Sequence, residues 1–458
     1  MYGAFRRIRE IKDMASKVAD IGKYLERIDR ASPVEVRGRV KEVIGLIVKA
    51  VVPEAWIGEM CLIRNPRSPV PVKAEVVGFR DGDVLLMPLG ELVNIGPHSE
   101  VVPTGNCLTV KVGDGLLGRV LNGLGEPMDA DFKGPLKCEE DFPVLGYPPD
   151  PLKRQRVTKP ISLGVRAIDA VLTAGEGQRI GLFAAAGGGK STLLGMIARN
   201  TEADVNVITL VGERGREVRD FIEHDLGPEG IKRSVVVCAT SNESSLVRLK
   251  AAYVGTAIAE YFRNKGLKVI LMMDSVTRFA RAQREIGLAC GEPPARAGYT
   301  PSVFAELPKL LERSGNSEKG SITAIYTVLV AGDDMNEPVA DEVRSILDGH
   351  IILSRELAAR NHYPAINVLE SASRVMSAVT SNDHRQSAGS LRDMLATYKK
   401  NEDLILLGAY KSGADKRVDG AIARIDEINA FLKQSMDDKS DFVSSVEYLK
   451  KMFPPNAN

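Results

Sequence analysis

The segment from Ala184 to Thr192 constrains the fold of this chain more than any other stretch of its sequence. It reads AAAGGGKST and lies between a short apolar run, Arg179 to Phe183, and a second one, Leu193 to Ala198. The first run is typical of a buried strand, and the second is typical of a helix. A glycine-rich turn between a strand and a helix predicts an α/β protein in which the turn has a special task.

The composition of this turn indicates what it binds. Successive glycines allow backbone N–H groups to wrap a phosphate chain at the N-terminus of a helix. Lys190 would reach the terminal phosphates, and the Ser191 hydroxyl would hold Mg²⁺. Ala184 replaces the first glycine of the usual GxxxxGK[ST] motif, which affects the start of the loop and not the phosphate cradle. The residues predicted to bind the phosphates are Gly187, Gly188, Gly189, Lys190, Ser191 and Thr192.

Two further signals are carboxylates that follow apolar strands. Asp274 ends the run Val269 to Met273, and an aspartate at that end of a strand beside the phosphate loop can bind the hydration shell of Mg²⁺. The alternative is an aspartate that only caps the next helix. The sequence GERGRE, from Gly212 to Glu217, follows the run Val205 to Val211, and its carboxylates could polarise an attacking water. The alternative there is a charged, solvated loop.

Changes in periodicity divide the 458 residues into segments. The first thirty residues have an a/d heptad pattern, typical of a helix that packs on its own domain, on a partner or on an acidic membrane surface. The next segment alternates β-branched residues with turn formers, which predicts a small antiparallel barrel or sandwich. After a Gly- and Pro-rich stretch, continuous apolar strands alternate with helix-length segments, which predicts a parallel sheet. The predicted parts are a partner-binding helix at 1–30, a β-barrel at 31–112, a linker at 113–160, an α/β domain at 161–384 and a helical domain at 385–458.

Composition argues against several other classes of protein. Lys plus Arg number 61 and Asp plus Glu 60, so the net charge of +1 gives no field that would attract a polyanion. Aromatic residues make up 5% with a single Trp, which disfavours a base-stacking surface. The five cysteines contain no CxxC pair, which argues against a disulfide framework or a zinc site and favours a reducing cytoplasm. No apolar run is long enough to span a bilayer.

Long motifs in a fixed order connect these signals to a known family. They begin at Gly212 (GERGREVRDF), Asp274 (DSVTRFARAQREIG), Gly298 (GYTPSVFAELPKLLERSG), Gly320 (GSITAIYTVLVAGDDMNEPVADEVRSILDGHIILSR) and Asn361 (NHYPAINVLESASRV). Together they resemble the type III secretion ATPases, the injectisome and flagellar export enzymes related to the catalytic subunit of rotary ATP synthase. The resemblance implies an α/β fold with a RecA-like parallel-sheet P-loop ATPase core, an N-terminal small β-barrel and a C-terminal helical domain. It also implies ATP and Mg²⁺ as the ligands.

The same resemblance assigns roles near the phosphates. Glu213 matches the catalytic glutamate that orients the hydrolytic water, and Arg214 matches its neighbour. Glu217 matches a second carboxylate that reaches the Mg²⁺ shell through water. Asp274 matches the Walker B aspartate. With Ser191, the implied magnesium-binding set is therefore Ser191, Asp274 and Glu217.

Three more residues are assigned by resemblance alone. Arg374 matches the arginine finger that enters the site of the neighbouring subunit. Tyr363 matches an aromatic residue that stacks on adenine, and Tyr410 is a looser match to a further adenine contact. From the residues themselves, Arg374 would be interpreted as a surface residue and Tyr363 as a packing residue.

The implied function is a Mg²⁺-dependent ATP hydrolase that forms a homohexameric ring and couples hydrolysis to chaperone release, unfolding and export of substrates. It would work in the cytoplasm, peripherally associated with the inner-membrane secretion apparatus. The implied partners are other copies of the chain, a stator-like regulator at the N-terminal helix, a central stalk in the pore beside the loop Cys290 to Ser302, the export gate and chaperone–substrate complexes. No nucleic-acid partner is expected.

Three alternatives keep the same core. A non-catalytic ring subunit is disfavoured by Glu213, because such subunits lack that carboxylate. A nucleic-acid translocase is disfavoured by the near-zero net charge and by the stretch Asp341 to Arg355, which resembles the secretion branch; the same stretch disfavours an ion-pumping rotary subunit. Within the secretion branch, the AAAGGG sequence favours the injectisome over the flagellum.

Overall fold

The computed structural model describes residues 36–455 with the exception of residues 66, 67, 69, 93, 98, 186, 331 and 333. The helix predicted at residues 1–30 lies outside the described residues. Among the helices of the described part of the chain, none has the length and apolar character needed to cross a membrane.

An antiparallel barrel opens the described chain. Its strands are Gly38–Ile44 (β1), Ile47–Val51 (β2), Met60–Arg64 (β3), Val72–Arg80 (β4), Asp83–Pro88 (β5) and Glu100–Pro103 (β6). They hydrogen bond in the order β1-β2-β5-β4-β3-β6, and the pairing of β1 with β6 closes the barrel. Alternate residues such as Val48 and Ala50 point inward and are fully buried, as expected for barrel strands. The predicted small β-barrel is confirmed, and it is a barrel rather than a sandwich.

The later strands build the central sheet and a small side ribbon. They are Thr109–Val112 (β7), Val120–Asn122 (β8), Glu140–Pro143 (β9), Arg179–Ala184 (β10), Val205–Glu213 (β11), Ser234–Thr240 (β12), Lys268–Asp274 (β13), Gly315–Asn316 (β14), Ser321–Leu329 (β15), Gly349–Leu353 (β16) and Ala372–Ser373 (β17). The sheet order is β17-β16-β10-β15-β13-β11-β12-β8, with β14 beside β15, while β7 pairs with β9. Strands β16, β10, β15, β13, β11, β12 and β8 run parallel, which confirms the predicted α/β core.

Helices cover both faces of the sheet and form the C-terminal part. They are Ala130–Lys133 (α1), Arg166–Val171 (α2), Lys190–Asn200 (α3), Gly215–Asp220 (α4), Gly227–Lys232 (α5), Ser245–Asn264 (α6), Val276–Cys290 (α7), Pro301–Leu311 (α8), Pro338–Ile346 (α9), Arg355–Ala359 (α10), Met376–Val379 (α11), Asn382–Leu406 (α12), Lys416–Leu432 (α13) and Phe442–Met452 (α14). Serine hydroxyls cap the first turns of α6, α7 and α12 by accepting a backbone N–H bond, which fixes where these helices start.

Two apolar layers enclose the sheet, because its buried strands present alternate residues to opposite faces. In β11, Val207 and Val211 pack into the layer that contains α6, α7 and α8. Ile208 and Leu210 pack into the other layer, which contains α2, α3 and residues of α12, α13 and α14. The C-terminal helices therefore share a core with α3, the helix that begins at Lys190.

The segment predicted as a linker at 113–160 is instead built into the fold. β8 extends the central sheet by pairing with β12, and β9 pairs with β7. Leu121, in the middle of β8, is fully buried. A three-residue strand in a Gly- and Pro-rich setting gives too short a period to recognise from sequence. The boundary predicted between residues 384 and 385 falls inside α12.

Candidate active site

The turn between β10 and α3 has the conformation that its glycines suggest. Gly187 and Gly189 have φ angles of +85° and +80°, in the left-handed region where a side chain would be strained. A Cβ atom added at Gly187 would meet no atom within 4 Å, so the loop borders open space there. Gly189 is the N-cap residue of α3, and the first N–H groups of such a helix lack partners within the helix. This geometry suits an anion at the start of α3.

Lys190 lies at the centre of a buried cluster of charges. Its Nζ is 2.5 Å from Oδ1 of Asp274 and 3.5 Å from Oε1 of Glu213. The three side chains are 14%, 5% and 8% exposed, respectively. Asp274 ends β13 and Glu213 ends the adjacent strand β11, so the parallel sheet brings both carboxylates to the same edge as the phosphate loop. The predicted Lys190, Glu213 and Asp274 therefore meet in one place.

A hydroxyl that the sequence reasoning missed also contacts this cluster. Thr327 lies in β15, between the strand that leads into the phosphate loop and the strand that ends in Asp274. Its Oγ1 donates a hydrogen bond of 2.7 Å to Oδ1 of Asp274. The sequence of β15, SITAIYTVL, has several polar residues and does not single out Thr327. Many buried threonines bond only to the backbone.

Glu213 has a lone pair available for a ligand. Its Oε2 accepts a 3.3 Å bond from Nη2 of Arg278, whereas its Oε1 is buried and accepts no hydrogen bond from the described residues. Burial raises the pKa of Glu213, and the nearby Glu217 adds to the rise, while Lys190 and Arg278 lower it. A buried carboxylate with a raised pKa and an unused oxygen is typical of groups that bind and orient a reacting water.

Arg278 is a second residue whose place the sequence did not reveal. With Arg281 and Arg284 it forms a row of arginines spaced three residues apart along α7, a pattern that by itself favours an exposed basic face. Arg278 instead turns back to Glu213, and its Nε is a buried donor without a partner among the described residues. It packs beside Gly212, where a Cβ would lie 2.9 Å from its Cδ.

The other predicted residues of the GERGRE segment lie at the rim of the cluster. Glu217 is half exposed in α4, and Arg214 is 78% exposed and pairs with Glu217 at 3.4 Å. Glu217 is close enough to raise the pKa of Glu213. The ion pair that the described residues give Arg214 is therefore with Glu217, and not with Glu213 or Asp274.

The oxygen groups near the loop suit magnesium. The hydroxyl-bearing Ser191 and Thr192 lie in the first turn of α3, and Ser191 is exposed. Asp274 and Glu217 add carboxylates, and Mg²⁺ prefers such hard oxygen ligands together with phosphate oxygens and water. The unused Oε1 of Glu213 and the open space at Gly187 are consistent with a ligand in front of the loop.

Tyr363 lies against the phosphate loop of its own chain. A Cβ built on Gly189 would be 3.5 Å from two carbons of the Tyr363 ring, and the side chain is 42% exposed. Its carbonyl accepts a 3.0 Å bond from the N–H of Gln434 in the C-terminal part. The Gln434 side chain in turn bonds to the N–H of Arg166 and the carbonyl of Gly164. The sequence reasoning missed this link, which only the tertiary fold creates.

Tyr410 belongs to a different local network. Its hydroxyl bonds to the carbonyl of Asp415 and to Oδ1 of Asp419, both near the start of α13. The described contacts therefore do not bring Tyr410 to the phosphate loop.

Arg374 lies at the opposite edge of the sheet from the phosphate loop. It follows β17, which pairs with Gly349 and His350 at the amino end of β16. β16 runs parallel to β10, whose carboxyl end carries the loop. Because β10 is about 17 Å long, at ~3.3 Å per residue, the exposed Arg374 side chain is separated from the Lys190 cluster of its own chain.

A parallel sheet with this loop, a lysine and two carboxylates at its carboxyl edge defines a P-loop nucleotide hydrolase. Family models assign residues 40–105 to the beta-barrel domain and 164–373 to the nucleotide-binding domain of the ATP synthase alpha/beta family. Residues 380–451 match the C-terminal domain of the type III secretion ATPase EscN.

Individual relatives agree with these models. The chain is 56% identical to a type 3 secretion system ATPase of Xanthomonas euvesicatoria, over 90% of this chain and 93% of the relative. It is 55% identical to a flagellum-specific ATP synthase of Bacillus subtilis, over 91% and 94%. The solved structure of the assembled ATPase EscN from enteropathogenic E. coli matches with a TM-score of 0.86 at 47% identity, over 90% of this chain and 99% of that one. The chain belongs to the type III secretion and flagellar export ATPases of the ATP synthase alpha/beta family.

Proposed function

We propose that this chain is the Mg²⁺-dependent ATPase of a type III protein secretion apparatus and that it works as a homohexameric ring. Hydrolysis would be coupled to chaperone release, substrate unfolding and export. The observation that carries the proposal is the buried cluster of Lys190, Asp274 and Glu213 at the phosphate loop. A phosphate-binding cation, a metal-binding carboxylate and a water-orienting carboxylate are the parts that phosphoryl transfer to water requires.

ATP would bind with its phosphates along Gly187 to Thr192. Lys190 would then exchange its contact with Asp274 for the terminal phosphates, which carry more negative charge. Ser191, Asp274 and Glu217 would hold Mg²⁺ directly or through water, and the metal would neutralise charge on the phosphate oxygens. Tyr363 is the candidate for stacking on adenine, because its exposed ring adjoins the loop.

Glu213 would orient the attacking water. Its buried Oε1 accepts no hydrogen bond from the described residues, so a water molecule bound there could donate one to it. Lys190 and Arg278 oppose the effect of burial on the pKa of Glu213 and so favour the ionised form that accepts a proton. Arg214, which is exposed at the rim, would act on the phosphates only if its side chain swings inward.

Arg374 would serve the site of a neighbouring copy. Its place at the far edge of the sheet supports a finger given in trans, because its own phosphate loop is one strand length away. The family member EscN has been solved as an assembled ATPase and in complex with its central stalk EscO, and the chain matches the latter structure with a TM-score of 0.83. A homohexamer around a central stalk is the corresponding proposal for this chain, with Cys290 to Ser302 facing the stalk.

The remaining partners follow from the family. The N-terminal helix would bind a stator-like regulator, and the ring would receive chaperone–substrate complexes and deliver substrates to the export gate. The chain would therefore act in the cytoplasm, associated with the inner-membrane apparatus. The injectisome is the proposed system, and the flagellar apparatus is the second candidate because the flagellar relative is 55% identical against 56% for the injectisome relative.

The test of the catalytic proposal compares two glutamates at the same edge of the sheet. Glu213→Gln should retain ATP binding and lose ATP turnover by ~10²–10⁴-fold, because the amide accepts a proton poorly. Glu243→Gln, an exposed position just beyond β12, is the matched control and should hydrolyse ATP at the wild-type rate. Equal activity of the two variants would contradict the role of Glu213.

The two export systems are separated by complementation. The gene would be introduced into strains of Xanthomonas euvesicatoria and Bacillus subtilis that lack their own related ATPase. Recovery of injectisome secretion without recovery of motility would support the injectisome, and the reverse would support the flagellar alternative.

A further inference from the structure

The strand β10 connects two functional places. Its carboxyl end leads into the phosphate loop, and its amino end lies beside the segment that carries Arg374. We propose that Arg179, the first residue of β10, and Asp348 are positioning residues that hold the Arg374 finger in place for the neighbouring subunit. This inference rests on the proposed role of Arg374 and adds the residues that orient it.

Arg179 and Asp348 form a two-pronged ion pair. Nε of Arg179 donates to Oδ2 of Asp348 at 3.0 Å, and Nη2 donates to Oδ1 at 3.1 Å. The backbone N–H of Arg179 adds a 3.1 Å bond to Oδ2. A fork of this kind fixes orientation as well as distance, which a single contact does not. Nη1 of Arg179 also contacts Glu312, so the guanidinium is anchored on both sides.

The backbone of Asp348 holds the backbone of Arg374. The Asp348 carbonyl accepts a 3.0 Å bond from the N–H of Arg374 and a 2.9 Å bond from Nε2 of the fully buried Gln178. The N–H of Asp348 donates to the carbonyl of Arg179 at 2.9 Å. The ion pair and these backbone bonds thus tie Arg374 to the first residue of β10.

The side chain of Arg374 rests on the same short segment. Its Nη1 donates to the carbonyl of Leu347 at 3.1 Å, and its Nη2 donates to the carbonyl of Arg344 at 3.3 Å. These carbonyls lie at the C-terminal end of α9, where the helix dipole favours a cation. We call Arg344, Leu347 and Asp348 the finger seat. Both the backbone and the guanidinium of Arg374 contact it.

The seat is specific to the finger and does not reach the phosphate loop of the same chain. Arg179 begins β10 and Ala184 ends it, about 17 Å away at ~3.3 Å per residue, and the phosphate loop follows Ala184. A loss of the ion pair should therefore change the placement of Arg374 and leave ATP binding in the same chain nearly unchanged. A misplacement of about 1 Å in a catalytic group can cost ~10²-fold in rate.

The first measurement is steady-state ATP hydrolysis by full-length Asp348→Asn and Arg179→Lys. Asp348→Asn keeps the shape of the side chain and loses its charge, whereas Arg179→Lys keeps the charge and loses the planar fork. We expect kcat to fall ~10–100-fold while KM for ATP changes less than threefold. Glu176→Gln is the matched control, since Glu176 pairs with Lys268 at the amino edge of the same sheet without touching the seat. A wild-type kcat in both seat variants would overturn the inference.

The second measurement mixes subunits. Glu213→Gln subunits have an inactive site but an intact finger, so adding them should restore hydrolysis at the sites of Arg374→Ala subunits. The same addition should raise the activity of Asp348→Asn and Arg179→Lys to a similar level, because their own sites are intact.

The outcomes distinguish failure of the finger in trans from failure of the positioning role. If Arg374→Ala gains nothing from mixing, the finger in trans is wrong and the seat falls with it. If Arg374→Ala recovers but neither seat variant does, Arg179 and Asp348 support their own site or the fold instead, and the positioning role is overturned. If both seat variants fail to fold and show no cooperative thermal unfolding, the positioning role is likewise overturned.

Discussion

Replacing Lys190 by methionine should destabilise the protein as well as inactivate it. The substitution keeps most of the side-chain volume but removes the cation that lies 2.5 Å from Asp274 and 3.5 Å from Glu213. Both carboxylates stay buried, and among the described residues Arg278 is then the remaining cation that contacts Glu213. Removing one partner of a buried ion pair costs ~3–5 kcal/mol of the free energy of unfolding.

Proton uptake by Glu213 limits this cost and makes it depend on pH. Neutralising a glutamate with an ordinary pKa of about 4.3 costs ~4 kcal/mol at pH 7 and ~1 kcal/mol at pH 5. Lys190 is one of the groups that lower the pKa of Glu213, so its removal raises that pKa further. A group whose pKa is higher in the folded state than in the unfolded state contributes stability that is present at low pH and lost as pH rises. The deficit of Lys190→Met should therefore be ~3 kcal/mol at pH 7 and ~1 kcal/mol at pH 5.

Thermal unfolding without nucleotide measures this deficit. For a domain of 150–250 residues, ~3 kcal/mol corresponds to a decrease in Tm of ~6–12 °C, and ~1 kcal/mol corresponds to ~2–4 °C. Lys232→Met is the control, because Lys232 forms an exposed pair with Glu229 whose loss should leave Tm nearly unchanged. A decrease in Tm that is the same at pH 5 and pH 7, or no larger than that of the control, would mean that the buried charge of Glu213 does not determine the deficit.

Three other substitutions test the stacking role of Tyr363, the pairing of Arg278 with Glu213, and the buried ion pair of Lys250. Tyr363→Ala should raise the Kd for ATP ~5–10-fold through loss of ring stacking, whereas Tyr363→Phe should bind normally; equal effects in a titration would exclude stacking. Arg278→Met removes a cation 3.3 Å from Glu213 that lowers the pKa of this carboxyl, so the pKa should rise and the acid limb of the kcat/KM profile should move to higher pH; an unmoved limb would count against the pairing. Lys250→Met leaves Glu75 of the barrel buried without its 2.6 Å partner and should cost ~3–5 kcal/mol of the free energy of unfolding, measured by thermal unfolding. The double variant Lys250→Met, Glu75→Met should recover most of this loss. If it does not, the loss comes from packing and not from charge.

The phosphate loop could be predicted from sequence because its strand, turn and helix are adjacent in the chain. The same is true of Asp274, which ends an apolar strand, and of Glu213, which follows another. In a parallel sheet the carboxyl ends of strands meet at one edge, so the meeting of these residues follows from the strand pattern.

The contacts that orient these groups could not be predicted in the same way. Thr327 contacts Asp274 because β15 lies beside β13, and Arg278 contacts Glu213 because of the direction of α7. Neither the strand order nor that direction can be read from the sequence. Gln434 reaches Tyr363 across 71 positions of the sequence, through a loop between two C-terminal helices. The strand β8 was missed because its three residues carry no measurable period, and only pairing with β12 makes it a strand.

The ATPase site that we propose for this chain is completed by a second copy of the chain. The most direct test is the Mg²⁺-ATPase activity per subunit as a function of protein concentration, with light scattering on the same samples and with Arg374→Ala in parallel. A site shared between copies predicts that wild-type activity per subunit rises as the protein assembles, whereas the variant assembles and binds ATP but stays nearly inactive. Activity that does not depend on concentration, or that survives in assembled Arg374→Ala, would contradict it.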